Sequence, residues 1–171
     1  LSEERLELVE ALGLNVVAAE PDPIAMVRSL APTGGQDARL ILDMGENSTD
    51  LAVVYGDTPR LVRTVPNGLN SLVRAAVQNL NVQEDQARQF ILKFGLAPDR
   101  LDGQVLRAID TVLDSFASEL VKSIKFFQTR YPNIQVAGIL LSGFGAVIPQ
   151  IDGYISTKTG VQAVTANPWQ R

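Results

Sequence analysis

The residues best suited to chemistry lie between two apolar runs, in the segment LILDMGENSTDLAVVYGD at residues 40–57. Asp43 closes the first run, and Gly45, Asn47, Ser48 and Thr49 follow it. A carboxylate at the end of a strand can hold Mg²⁺ directly or through water, and glycine lets an oxygen ligand approach the backbone. Backbone amides in such a loop can hold phosphate. The same residue types also build polar turns that satisfy only their own backbone, so both interpretations stay open.

A second glycine-containing segment, Gly143-Phe144-Gly145, follows a strongly apolar run. Glycines between a buried strand and a helix allow a ligand to approach the helix N-terminus, where free N–H groups and the helix dipole favour anions. The pattern lacks the third glycine of a dinucleotide-binding fingerprint. Taken alone, it is more typical of a tight turn from strand to helix.

Three charged residues have a functional and a structural interpretation each. Glu20 precedes Pro21 at a helix start, where an acid is favoured by the dipole, but it could also position a metal or a water molecule. Glu119 and Lys122 are three residues apart on a predicted helix, which is typical of a solvated ion pair. The same two side chains could instead reach a ribose.

The composition excludes several classes of function. The chain of 171 residues contains no cysteine and no histidine, which excludes disulfides, Cys/His zinc sites and Ser-His catalysis. Its net charge of −4 argues against a general nucleic-acid binder. The apolar runs are far shorter than the roughly 20 residues of a membrane-spanning helix. The chain begins within a helix-like pattern and without an initiator Met, so we expect a fragment or processed product of a longer protein.

The periodicity of apolar residues predicts an α/β fold with a mixed sheet. Three closely spaced strands at 39–43, 50–55 and 60–65 indicate an antiparallel meander. Apolar steps of three and four then predict helices, and a nearly all-apolar run at 135–143 predicts a central strand. The remaining predicted elements are helices at 2–12, 21–31, 69–80, 84–95, 105–127 and 147–158 and strands at 14–20 and 161–164.

Five segments together resemble the second half of an actin-like ATPase, the fold of actin, the Hsp70 chaperones, sugar kinases and FtsA. These segments are AEPDPIA, LILDMGENSTDLAVV, VPNGLNSL, SELVKSI and LLSGFGA, in this order. Within that superfamily, the helix segment VKSIKFF and the closing ANPWQ are most similar to the PilM family of type IV pilus assembly proteins. The resemblance covers nearly the whole chain.

The resemblance implies a ribonuclease-H-like lobe with three antiparallel strands, then parallel strands, helices on both faces and a small helical insert. Residues 1–36 would end the preceding lobe and form the connecting helix, and residues 37–171 would form the second lobe, with 70–115 as the insert. The implied cofactors are ATP and Mg²⁺, with Asp43 near the metal and Glu20 positioning the metal and the attacking water. The implied nucleotide-binding residues are Asp43, Gly45, Asn47, Ser48, Thr49, Gly68, Glu119, Lys122, Gly143, Phe144 and Gly145.

The function implied is that of a cytoplasmic scaffold, peripheral to the inner membrane, with at most slow ATPase activity. Its expected partner is the cytoplasmic tail of a PilN-like inner-membrane protein, with self-association as a further expectation and no nucleic acid. Three residues depart from the family pattern: Glu46 adds a negative charge to the phosphate loop, Phe144 replaces a glycine, and Leu69 follows Gly68 in place of a second glycine. The alternatives are an interaction module without nucleotide and, with less support, a sugar kinase.

Overall fold

The computed structural model describes residues 2–31 and 34–169, which form an α/β domain. The helices are α1 (Ser2–Ala11), α2 (Asp22–Leu30), α3 (Leu69–Leu80), α4 (Glu84–Phe94), α5 (Gln104–Arg130) and α6 (Ile151–Thr159). The strands are β1 (Ala38–Met44), β2 (Thr49–Tyr55), β3 (Thr58–Val65), β4 (Val136–Gly143) and β5 (Ala163–Thr165). Two short 3₁₀ turns lie at 101–103 and 144–146. No helix in these ranges combines the length and the apolar character needed to cross a membrane.

The five strands form one sheet in the order β3-β2-β1-β4-β5. The first three strands are antiparallel neighbours, whereas β4 runs parallel to β1 and β5 runs parallel to β4. The β2–β3 turn is tight because Gly56 and Asp57 both adopt positive φ, the backbone of a two-residue hairpin turn. The predicted mixed sheet, with its antiparallel meander followed by parallel strands, is confirmed.

Helices cover both faces of this sheet. On one face, α3, α5 and α6 pack on side chains such as Leu40, Leu51 and Leu141. On the other face, Met26 and Val27 of α2 pack against Ile41, Ala52 and Leu140. The central strands β1 and β4 are therefore buried on both sides, which explains why they read as nearly continuous apolar runs.

One predicted element is wrong, and another begins later than predicted. Residues 14–20 form no strand, and Val17 is 89% exposed, because the segment has no strand beside it to pair with. The helix predicted from residue 147 begins only at Ile151, since Gln150 adopts a left-handed backbone with φ of 61°. Asn81 ends α3 in a left-handed conformation. The proposed division into lobes and insert stays a prediction.

Candidate functional site

The loop between β1 and β2 is a tight turn at one end of the sheet. Asp43 pairs with Asp50 across the two strands, and Met44 pairs with Thr49. The loop closes through a hydrogen bond of 2.8 Å from the Gly45 backbone N–H to the Ser48 carbonyl. Thr49 is fully buried, and its hydroxyl donates to the Asn67 carbonyl at 2.6 Å. The hydroxyl of Thr49 therefore holds the loop in place and is committed to the fold.

The start of α3 docks directly against this loop. The Leu69 N–H donates to the Gly45 carbonyl at 3.0 Å, and the Asn70 N–H donates to the Glu46 carbonyl at 2.8 Å. A Cβ at Gly68 would lie 2.6 Å from both of these carbonyl oxygens, so only glycine allows this close approach. The loop carbonyls thereby satisfy N–H groups that a helix N-terminus otherwise leaves without partners. These two N–H groups are not available to an anion.

The glycine-containing turn after β4 lies beside Asp43. Asp43 is opposite Ser142 in the parallel β1–β4 ladder, and Met44 is opposite Gly143. Gly143 adopts φ 59° and ψ −138°, and a Cβ there would lie 2.5 Å from the Met44 carbonyl oxygen and 2.6 Å from Asp43 Oδ1. Both turns follow the carboxyl ends of neighbouring parallel strands, so they meet at one rim of the sheet.

The chain beyond Gly143 differs from the predicted approach to a helix N-terminus. A 3₁₀ turn over Phe144–Ala146 follows the strand, and α6 begins only at Ile151. Gly145 is buried, and a Cβ there would lie 3.6 Å from the Met44 side chain. The glycines therefore pack the turn against β1, and their role in binding a ligand stays a prediction.

An open pocket of about 670 Å³ lies between this rim and α2, lined by Asp43, Ser142 and residues of α2 that include Asp22 and Arg28. Glu20 forms an ion pair with Arg28. Glu20, the predicted water- and metal-positioning acid, is thus linked to the Asp43 pocket through an arginine that sequence reasoning did not single out.

Glu119 and Lys122 lie on the opposite face of the sheet. Glu119 accepts hydrogen bonds from Lys122 at 2.8 Å and from Arg63 of β3 at 2.7 Å. The hydrogen bond from Lys122, with the charges of Lys122 and Arg63, holds the pKa of Glu119 below its ordinary value. Arg63 also donates to Ser123 at 3.2 Å, so this cluster ties α5 to the edge strand. The structure does not bring these two residues into the pocket beside Asp43.

Arg88 of α4 contacts both of the unusual residues in the two rim turns. Its guanidinium makes a two-pronged ion pair with Glu46, with Nη1 to Oε2 at 3.0 Å, and lies 5.4 Å from the centre of the Phe144 ring. The hydrogen bond from Arg88 lowers the pKa of Glu46, while desolvation opposes it. One guanidinium therefore joins the β1–β2 loop to the turn after β4.

The sequence of this chain matches the family described as Type IV pilus assembly protein PilM over residues 3–171. The chain belongs to that family. A solved PilM–PilN type IV pilus biogenesis complex is similar to it at 25% identity and a TM-score of 0.73, covering 96% of this chain and 47% of the solved one. The chain thus spans about half the length of that PilM-family structure.

More distant structures show that this PilM-family chain has the actin-like ATPase fold. MreB 5 of Spiroplasma citri bound to AMPPNP matches with a TM-score of 0.75 at 16% identity, covering 96% of this chain and 59% of the MreB chain. An archaeal actin homolog matches with a TM-score of 0.62 at 14% identity, covering 87% of this chain and 49% of that one. The predicted fold is confirmed.

The acidic residues of this PilM-family chain offer few ligands for a metal ion on their own. Among the residues that the structure describes, no group of three or more acidic side chains is placed to hold a metal ion. Mg²⁺ bound to nucleotide needs only one or two carboxylates, because phosphate oxygens and water complete its shell. Asp43 at the pocket wall fits that limited role, and the assigned roles of the nucleotide-binding residues stay predictions.

Proposed function

We propose that this chain is the nucleotide-binding lobe of a cytoplasmic scaffold in type IV pilus assembly, peripheral to the inner membrane. The observation that carries the proposal is the meeting of three segments at one rim of the sheet: the loop after Asp43, the turn at Gly68 and the turn at Gly143. Close backbone approach at both glycines gives this rim a fixed shape. Asp43 and Ser142, which precede two of these segments, also line an open pocket large enough for part of a nucleotide.

In this proposal, ATP and Mg²⁺ are the ligands and nucleotide occupancy controls the conformation of the lobe. Mg²⁺ would supply positive charge to the phosphates, and Asp43 would orient it directly or through water. Ser48 and the loop backbone would line the phosphate side. Because Glu20 is engaged by Arg28, it is poorly placed to activate water, which supports at most slow turnover.

We propose that the partner is the cytoplasmic tail of a PilN-like inner-membrane protein. The similar solved structure is a complex of PilM with PilN, and family membership over residues 3–171 supports the extension to this chain. A peptide of such a tail, labelled with a fluorophore, should bind the full-length protein with an affinity that changes when Mg–ATP is added. Equal affinity with and without nucleotide would contradict the coupling.

The second candidate is an interaction module that has lost nucleotide binding. Two observations favour it: the first N–H groups of α3 are already bonded to loop carbonyls, and Glu46 adds negative charge to the loop. A sugar kinase has no support in the described residues, since no catalytic base or sugar pocket stands out. Phosphate release measured with sugars present tests that activity.

Calorimetric titration of Mg–ATP into the full-length protein separates the two candidates. We expect Asp43→Ala to weaken Mg–ATP binding by roughly 10–100-fold, the usual loss for a residue that orients a metal or its ligands, without lowering the melting temperature. Asp110→Ala is the matched control, because Asp110 is an exposed carboxylate on α5, away from the rim. Equal affinity in Asp43→Ala contradicts its role, and absence of binding in the unmodified protein favours the interaction module.

A further inference from the structure

Arg88 lies on α4 and contacts three other segments at the candidate site: the β1–β2 loop, the turn after β4 and the start of α3. Besides the ion pair with Glu46 and the contact with Phe144, its Nη1 lies 3.5 Å from Asn70 Oδ1 at the start of α3. Asn70 in turn donates to Asn47 of the loop at 3.0 Å. The guanidinium is therefore fixed at the β1–β2 loop by contacts on several sides, although Arg88 remains partly open to solvent.

The negative charge of the β1–β2 loop makes the position of Arg88 important for binding phosphate. Residues 43–50 carry three carboxylates, Asp43, Glu46 and Asp50, and no basic residue. A phosphate chain at such a loop meets repulsion, because like charges a few ångströms apart oppose each other even in a partly aqueous setting. Arg88 is a cation that directly contacts this loop. A phosphate bound there would need that positive charge in addition to its metal.

Resting on the proposed nucleotide function, we propose that Arg88 binds the phosphate chain of the nucleotide and that Glu46 competes for the same guanidinium. A guanidinium offers the same planar fork of N–H donors to a carboxylate and to a phosphate. The Glu46 ion pair is then the nucleotide-free arrangement, and the arginine exchanges one anion for the other. The face of Phe144 would keep the guanidinium at the rim during the exchange.

The test is a double-mutant cycle on the full-length protein, titrated with Mg–ATP and, separately, with adenosine. Glu46→Gln removes the competing carboxylate and should tighten Mg–ATP binding roughly two- to fivefold. This is the fold-change in affinity that corresponds to the free energy of an exposed ion pair. Arg88→Gln should weaken it by at least a similar factor. In the Arg88→Gln background, Glu46→Gln should give little further gain, because the guanidinium that it releases is no longer there. Adenosine binding should change in none of these variants.

Several outcomes overturn the proposal. A gain from Glu46→Gln that persists undiminished in the Arg88→Gln background would show that Glu46 acts by simple repulsion. Unchanged Mg–ATP affinity in Arg88→Gln would exclude Arg88 as a ligand of the phosphate chain. The same conclusion would follow if Arg88→Gln weakened the binding of adenosine as much as that of Mg–ATP. Arg74→Gln is the matched control, because Arg74 lies on neighbouring α3 and contacts Ser71 of its own helix. It should leave affinity unchanged, and thermal unfolding of each variant checks the fold.

The two proposals fail in distinguishable ways. If Mg–ATP binding is lost in Asp43→Ala but retained in Arg88→Gln, the nucleotide function stands and only the role of Arg88 is refuted. If neither the unmodified protein nor any variant binds Mg–ATP, the nucleotide function is refuted and the role of Arg88 with it.

Discussion

Gly68→Ala tests how the β1–β2 loop is held. Gly68 has an ordinary extended backbone with φ of −130°, so the substitution adds no conformational strain of its own. The added Cβ would nevertheless lie 2.6 Å from the carbonyl oxygens of Gly45 and Glu46. The loop and the start of α3 must therefore separate by roughly 0.8 Å to reach an ordinary contact distance.

The cost follows from the two hydrogen bonds that cross this contact. The Leu69 N–H lies 3.0 Å from the Gly45 carbonyl oxygen, and the Asn70 N–H lies 2.8 Å from that of Glu46. Moving the loop and the start of α3 apart would stretch both distances beyond about 3.5 Å, where little hydrogen bonding remains. Losing two backbone hydrogen bonds costs about 1–3 kcal/mol. For a domain of this size, that loss lowers the melting temperature by roughly 2–12 °C.

Thermal and denaturant-induced unfolding, followed by circular dichroism, measure the effect. Gly153→Ala is the matched control, because Gly153 lies within α6 and a Cβ there meets nothing within 4 Å. The same substitution should stabilise α6 by about 0.5–1 kcal/mol, since alanine is the better helix former. The two variants thus shift stability in opposite directions. A Gly68→Ala protein as stable as the unmodified one would refute the close approach described at this turn.

Three further predictions concern stability. Gly143→Val should destabilise by about 3 kcal/mol or more, because it combines a glycine-only backbone with a Cβ contact of 2.5 Å; normal thermal stability would contradict the strained turn. Thr49→Val should cost about 1–3 kcal/mol in denaturant unfolding by leaving the Asn67 carbonyl without its donor; an unchanged midpoint would count against it. Hydrogen bonds, of which that from Lys158 has the largest effect, lower the pKa of Asp114. Asp114→Asn should therefore reduce the melting temperature at pH 7, and the difference from the unmodified protein should shrink as the pH falls below 3.8. A deficit independent of pH would exclude that charge effect.

Most of the fold could be predicted because its signals are local. The apolar spacing of α3 predicted its bounds at residues 69 and 80, and short connections between the first three strands required an antiparallel meander. The strand predicted at 14–20 failed for the opposite reason. A short run of apolar residues shows that a segment is able to pair, whereas pairing depends on a neighbouring strand that the run does not reveal.

The candidate site was predictable only where topology governs it. Asp43 and Gly143 end adjacent parallel strands, so their meeting follows from the sheet once β4 is placed beside β1. The long-range ion pairs could not be predicted, because Arg88 is 42 residues from Glu46 and Arg63 is 56 residues from Glu119. No sequence spacing encodes which long side chains meet across such separations. Only the structure shows that two of the departures from the family pattern share one arginine.

The pairing of β1 with β4 has a consequence for how the chain folds. Leu40 pairs with Ile139, so the central ladder cannot close until α3, α4 and α5 have been synthesised and brought back to the sheet. Long-range parallel pairing of this kind slows folding, because the entropy of closing the chain is lost before the contacts form. During that interval the apolar edge of β1 is unpaired, and an unpaired apolar strand edge is prone to aggregation when the protein refolds.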